Sequence, residues 1–404
     1  MLSVAEARAR ICAAFSPVGI EQVGLMDALG RVLAEDAVAR VTQPPAAVSA
    51  MDGYAVRAAD VAVVPARLRV VGQAPAGGAH QARVMAGEAV RIFTGGPVPD
   101  GADAIVIQEN VVAQCVQIEV RESAPVGLYI RPAGLDFRAG QIGLPAGRLL
   151  TARDIGLAAA MNRPWLSVRR RPRIAILATG DEVVMPGDPI GPNQIVSSNG
   201  LSLAAFVTAC GGVPLQLGIS PDSRAALQAM TRAAAGTDLL VTSGGASVGD
   251  RDLVRSALTE QGLELDFWRI AIRPGKPLLF GRVGSTPILG VPGNPVSTLV
   301  CATVFLRPAM DAMLGRVEPS RPPVTALLGR DLAENDGRED YLRARLSYEC
   351  DGRAVATPFE QQDSSMLSRL AQADCLVIRA PHAPAAKTGD SVEILPLAGG
   401  VLSI

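Results

Sequence analysis

The sequence predicts a multidomain α/β protein in which a central parallel α/β domain is accompanied by a helical stalk, an inserted β-rich domain and a small C-terminal β domain. Three observations lead there. At 404 residues the chain is longer than one ordinary core can organise. From Arg173 onward, apolar strand-like runs alternate with helix-like segments, the rhythm of strands covered on both faces of a sheet. On either side, glycine and proline break the chain into short β-type patches.

In chain order, Ser3 and Glu6 are spaced as a capping box that opens a helix to about Phe15, and Leu25 to Ala37 reads as a second helix. Ala66 to Val71, Val90 to Phe93, Ala104 to Gln108 and Val116 to Val120 read as strands of the insertion. Leu149 to Met161, with Thr151 and Asp154 near its start, reads as a helix that returns to pack with the N-terminal ones as a stalk. In the α/β part, strands are expected at Ile174 to Ala178, Val213 to Ile219, Leu239 to Thr242, Leu263 to Ile272, Pro277 to Phe280 and Pro287 to Val291. Helices are expected at Leu201 to Cys210, after Ser220-Pro221, at Asp252 to Gln261 and at Pro295 to Leu314. Arg321-Pro-Pro323 reads as a linker, and Tyr341 to Tyr348, Cys375 to Arg379 and Ser391 to Leu395 as strands beyond it. The expected domains are 1–45 plus 144–170, 46–143, 171–318 and 319–404.

Composition narrows the function. Charged residues make up 19% and the formal net charge is −1, so no basic surface for tracking nucleic-acid phosphates is expected. Aromatic residues at 3% supply few stacking platforms. With two histidines, His80 and His382, both in loop-type sequence, a histidine triad or histidine-rich zinc site is disfavoured. Six scattered cysteines without a Cys-x-x-Cys pair fit reduced thiols and a cytoplasmic protein. Neither a signal peptide nor a membrane span is expected.

The chemistry gathers at strand ends. Asp238 to Asp252 runs from an apolar strand into Ser243-Gly244-Gly245 and then an acid-flanked helix start. Glycines there let backbone approach an anion, and the following helix offers unpaired N–H groups. Thr179-Gly-Asp-Glu182 also follows a strand, so two motifs fall on the carboxyl rim where such sheets bind ligands.

Ser49-Ala-Met-Asp-Gly-Tyr-Ala55, Arg91-Ile-Phe-Thr-Gly-Gly-Pro-Val-Pro-Asp-Gly-Ala-Asp103, Arg131-Pro-Ala-Gly-Leu-Asp136, Thr179-Gly-Asp-Glu182, the Ser-Gly-Gly turn, Pro274-Gly-Lys276 and Pro292-Gly-Asn-Pro295 occur in one order. Together they resemble the molybdopterin molybdenumtransferase family, which includes bacterial MoeA and the gephyrin E domain. The resemblance implies four domains, an α/β domain related to the molybdopterin adenylyltransferases, and a homodimer with each cleft shared between subunits. It also implies a Mg²⁺-assisted reaction in which adenylyl-molybdopterin and molybdate give molybdenum cofactor and AMP. The adenylyltransferase is then the pathway neighbour.

Carried onto this sequence, the resemblance implies catalytic roles for Asp52, Thr94, Asp136, Glu182, Asp222 and Asp252. The cation falls to Asp252, Asp222 and Glu182, since a hard ion bridging phosphates takes one or two carboxylates. Asp222 reads equally well as an acid at a helix N-terminus. Pterin and nucleotide contacts fall to Asn199, Ser243, Gly244, Gly245, Ser247, Pro292, Asn294 and Pro295. Molybdate falls to Arg273, Lys276, Ser297, Arg343 and Ser364. The family more often has lysine at position 273, and arginine changes the hydrogen-bond geometry. The alternatives are a molybdopterin adenylyltransferase and a gephyrin-like scaffold.

Overall fold

The computed structural model describes residues 1–244, 253–317 and 323–397. Helix α1, Val4–Ala13, starts where expected, with Ser3 Oγ accepting from the Glu6 amide at 3.2 Å and Glu6 accepting from the Ser3 amide at 3.1 Å. Its buried side chains Val4, Ala7 and Ile11 pack against Phe305, Met310 and Met313, so α1 caps the α/β unit. The expected stalk partner behaves differently. Helix α2, Ala152–Ala160, buries Ala158 against Leu33, Leu144 and Leu166 in a separate core.

The helix expected over Leu25 to Ala37 does not form beyond a 3₁₀ turn at Leu25–Asp27. Gly30 adopts φ +71°, and Leu33 donates to the Arg148 carbonyl at 2.9 Å. Pairing with a distant segment has outweighed local helical preference here. The region is therefore short antiparallel pairs, such as Ile20–Gly24 with Trp165–Arg169, plus a single helix.

The inserted region is a six-stranded sheet in the order Ala104–Ile107, Gly53–Val56, Glu88–Ile92, Ala66–Ala74, Gln117–Val120, Val111–Gln114. Tyr54 and Val56 enter one core while Ala55 enters another with Val90 and Ile105, so both faces are covered.

The central sheet runs Val213–Ser220, Arg173–Thr179, Leu239–Ser243, Thr286–Val291, Leu279–Val283, Leu263–Trp268. The first four strands are parallel, but the last two add antiparallel, so the expected parallel sheet carries an antiparallel edge. A tight turn through Gly284 at φ +57° joins two of these strands, and so short a connection enforces antiparallel pairing. Around the sheet lie α3, Asn199–Ala209; α4, Arg224–Ala233; α5, Leu253–Glu260; α6, Pro295–Cys301; and α7, Arg307–Leu314.

A π-helical turn, Ala302–Leu306, joins α6 to α7. The run Pro295–Leu314 is long and apolar enough to cross a bilayer, yet 67% of its apolar window is buried, with Val296, Val300 and Phe305 at the centre of the main core.

In the C-terminal part, strands Glu339–Tyr348, Ala354–Pro358, Val324–Leu328, Ser391–Pro396 and Cys375–Arg379 form a ring, closed where Cys375–Arg379 pairs back onto Glu339–Tyr348. A short helix, α8 at Leu367–Ala371, follows and packs against α6, with Leu370 against the main core. Ile272–Arg273 of the central unit adds to this barrel by pairing parallel with Glu339 and Asp340.

Candidate functional site

The carboxyl ends of the parallel strands meet at the glycine turn. Gly244 holds φ +97°, and a Cβ on it would lie 2.6 Å from the Thr179 carbonyl oxygen, so the ends of strands Arg173–Thr179 and Leu239–Ser243 approach this closely only because this residue lacks a side chain. Ser243 is 3% exposed, and its Oγ accepts from Asn199 Nδ2 at 2.8 Å. The same amide donates to the Gly293 carbonyl at 2.7 Å. Asn199 opens α3, two residues earlier than the sequence indicated, and this placement turns it toward both neighbouring strand ends. Gly245, Ser247 and Asp252 lie outside the described residues.

Hydrogen bonds continue from Gly293 into the C-terminal barrel. Asn294 Nδ2 donates to Ser364 Oγ at 2.7 Å, and the Val296 amide donates to the Ser364 carbonyl at 3.1 Å. Pro292 is held by Thr298, whose hydroxyl donates to its carbonyl at 2.6 Å, and Pro295 opens α6, where it removes a donor that the first turn would leave unpaired. Ser297, one turn into α6, is 4% exposed.

Arg343 projects from the strand Glu339–Tyr348 and is 0% exposed. One guanidinium nitrogen donates to the Asp363 carbonyl at 3.1 Å, while Nε and Nη1 are buried without partners. Burial pushes its pKa down, and the nearby Asp363 charge opposes that shift only in part. Gln362 clamps the same residue's backbone, accepting from its amide at 3.0 Å and donating to its carbonyl at 2.9 Å. The sequence carried no signal for Gln362, because its partner is nineteen positions away.

The other expected oxyanion donors lie on the turn after Ile272–Arg273. Lys276 is exposed, and among the described residues its ammonium has no partner. The turn sits against α6, since a Cβ on Gly275 would lie 2.6 Å from Cys301 Sγ. Arg273 instead faces acids: it donates to Asp336 at 3.2 Å, to Asn335 at 3.0 Å and to Asp340.

On the far side of the rim, the Asp222 amide donates to Asp181 Oδ1 at 2.9 Å. Burial raises the Asp222 pKa, and the like charges of Asp181 and Glu182 raise it further. Asp181 joins this acidic group although the sequence reading left it out. Among the described residues no three side chains form a ready metal cage. One or two carboxylates, such as Glu182 and Asp222, are what a hard, largely hydrated cation takes from protein.

Asp52, Thr94 and Asp136 belong to the insertion. Asp52 accepts from the Thr94 amide at 2.6 Å and from its hydroxyl at 2.8 Å, and the amide bond leads in lowering its pKa. Asp136 is exposed in a turn whose amide donates to the Gln43 carbonyl at 3.1 Å. Among the described residues no hydrogen bond joins these three to the rim. Asp52 and Thr94 are bonded to each other, while Asp136 is tied to Gln43.

Comparison with known proteins agrees with this architecture. Residues 2–162 match the MoeA N-terminal region (domain I and II), 175–312 the probable molybdopterin binding domain, and 325–397 the MoeA C-terminal region (domain IV). The chain is 38% identical over 337 residues to molybdopterin molybdenumtransferase 2 of Mycobacterium tuberculosis, covering 81% of this chain and 83% of that protein. It is 31% identical to the molybdopterin molybdenumtransferase of Haemophilus influenzae, with 98% of each covered. The crystal structure of a molybdopterin biosynthesis MoeA protein from Pyrococcus horikoshii superposes with a TM-score of 0.85 at 30% identity, covering 99% of this chain and 100% of that one. With the MoeA regions matched along it and relatives 31–38% identical over 83–98% of their length, this chain belongs to the molybdopterin molybdenumtransferase family.

Proposed function

We propose that this chain is a cytoplasmic transferase that inserts molybdenum into molybdopterin, converting adenylyl-molybdopterin and molybdate into molybdenum cofactor and AMP. The observation that carries the reading is Arg343, a fully buried guanidinium with two unpartnered N–H-bearing nitrogens beside the Ser364–Asn294 contact. Leaving a cation unpaired in a protein interior is costly, and an oxyanion supplies both the countercharge and the missing acceptors.

Lys276, Ser297 and Ser364 add a second positive charge and two hydroxyls, which suits a tetrahedral dianion. Ser243, Gly244, Asn199 and the Pro292-Gly-Asn-Pro295 segment hold the pterin and phosphate end. Thr179 packed against Gly244 keeps that surface rigid, so the two substrates meet at fixed separation. Glu182 and Asp222, with Asp252, would hold Mg²⁺, which when bound shields the pyrophosphate charge.

We further propose that Asp52, Thr94 and Asp136 complete the cleft of a second subunit in a homodimer. That no hydrogen bond among the described residues ties them to the rim of their own chain supports this. A molybdopterin adenylyltransferase would supply the substrate.

The test is to incubate purified protein with adenylyl-molybdopterin, Mg²⁺ and molybdate and to follow AMP. Molybdate-stimulated release is expected. Consumption of ATP with free molybdopterin, and no such release, would move the assignment to adenylation.

A further inference from the structure

The pairing register of Arg273 with Asp340 aligns the turn that carries Lys276 with the barrel strand that carries Arg343. In both segments the expected oxyanion group lies three residues beyond the paired position. Arg273 supplies the link between them. Its Nη2 donates to Asn335 Oδ1 at 3.0 Å and to Asp340, and its Nη1 donates to Asp336 at 3.2 Å. Asn335 in turn donates to the carbonyls of Arg338, Arg379 and Ala380 at 2.8, 3.1 and 2.9 Å, which anchors the receiving end inside the barrel.

We infer that Arg273 is a positioning residue, a latch that docks the C-terminal barrel on the α/β domain and sets the distance from Lys276 to Arg343, and that it does not contact the oxyanion. This deepens the function proposed above and rests on it. Charge decides the point. A dianion approaching this guanidinium would enter the hydrogen-bond reach of Asp336 and Asp340 and be repelled by both. Asp336 is already shared, accepting from Arg338 at 2.6 Å. The planar fork matters as well, because one guanidinium reaches three acceptors on the barrel in a fixed plane, which an ammonium does not.

The two roles predict opposite signs for one substitution. If Arg273 held molybdate, Asp340→Asn would remove a competing negative charge and tighten molybdate binding. If Arg273 is a latch, Asp340→Asn loosens the barrel and moves Arg343 away from Lys276. Molybdate binding to the full-length protein, measured by calorimetry, should then weaken about tenfold, the loss of roughly one charge-assisted hydrogen bond. Arg273→Gln should weaken it at least as much, since it also gives up the bonds to Asn335 and Asp336, and the double variant should be no weaker than Arg273→Gln alone, because the Asp340 contact is already lost there.

Half-saturation by adenylyl-molybdopterin should stay unchanged in all three, a split that general destabilisation would not give. Arg273→Lys should restore only part of the loss. Tighter or unchanged molybdate binding in Asp340→Asn overturns the latch. Hydrogen exchange of the amides at Ile272–Arg273 and Glu339–Tyr348 separates the two layers of the argument. If the native protein binds no molybdate, the functional reading fails. The latch then stands or falls on whether exchange accelerates in Arg273→Gln.

Discussion

Asn199 Nδ2 donates to Ser243 Oγ at 2.8 Å, so the first residue of α3 is fastened to the last residue of the strand Leu239–Ser243. Its second bond, to the Gly293 carbonyl at 2.7 Å, brings in the start of α6. Three segments of the rim therefore share one side chain. Asn199→Asp keeps the shape but removes both donors. A loss of about 1–3 kcal/mol in urea unfolding is expected, with a lower kcat/KM for AMP release. An unchanged unfolding midpoint would show that the amide is not a structural tie.

Gly244→Ala places a methyl group 2.6 Å from the Thr179 carbonyl oxygen, on backbone that already holds φ +97°. The nearest atom is backbone and cannot rotate away, so the strand ends must separate. The expected cost is about 1–3 kcal/mol, with weaker AMP binding in the same variant. Native affinity for AMP would show that the turn tolerates the shift.

Arg343→Met should separate stability from function. The guanidinium is buried with two unpartnered nitrogens, and an apolar chain of similar length removes the desolvation cost of those groups, so stability should not fall. Molybdate binding should disappear. Urea unfolding and calorimetry on one preparation check both halves, and a large destabilisation would mean that the arginine is already satisfied in the free protein.

Asp222 gives a pH signature. Its folded pKa is raised, first by burial and then by Asp181 and Glu182. The folded state therefore holds this proton more tightly than the unfolded chain. Its stabilising contribution is fully present below the ordinary carboxylate value of about 3.9 and is lost as pH climbs through the raised value. Asp222→Asn should show a slightly higher Tm at neutral pH, with the difference closing in acid. Mg²⁺ should raise the wild-type Tm and leave that of the variant nearly unmoved. A pH-independent difference would remove the like-charge explanation.

The shared cleft predicts complementation. Asp52→Asn and Arg343→Met, each inactive alone, disable opposite halves of a cleft built from two subunits. After mixing and subunit exchange, roughly a quarter of wild-type activity should return, because half the dimers are mixed and each has one intact cleft. No recovery despite proven exchange would mean that each cleft takes both residues from a single subunit.

Much of this could be read from the letters alone. The capping box at Ser3, Thr151 and Asp154 at the start of α2, unbroken apolar strands such as Leu239–Ser243, and Asn-Pro ahead of α6 specify local structure through neighbours a few residues apart. Such signals survive in a linear reading because both partners lie within one turn of helix or one strand. The motif order likewise identified the family that the comparisons show.

Tertiary structure decided the rest. Leu25 to Ala37 lost its helix to pairing with Arg148 and Leu150, and α1 joined the α/β core instead of α2. Arg343 reads as a surface residue, yet barrel closure buries it completely. Arg273 and Asp340, 67 residues apart, meet only because two domains pair their strands in one register. Burial and charge pairing depend on the three-dimensional neighbours of a group. The sequence therefore determined which chemical groups this protein carries, and the fold determined which of them are desolvated, which are neutralised and which remain free to meet a ligand.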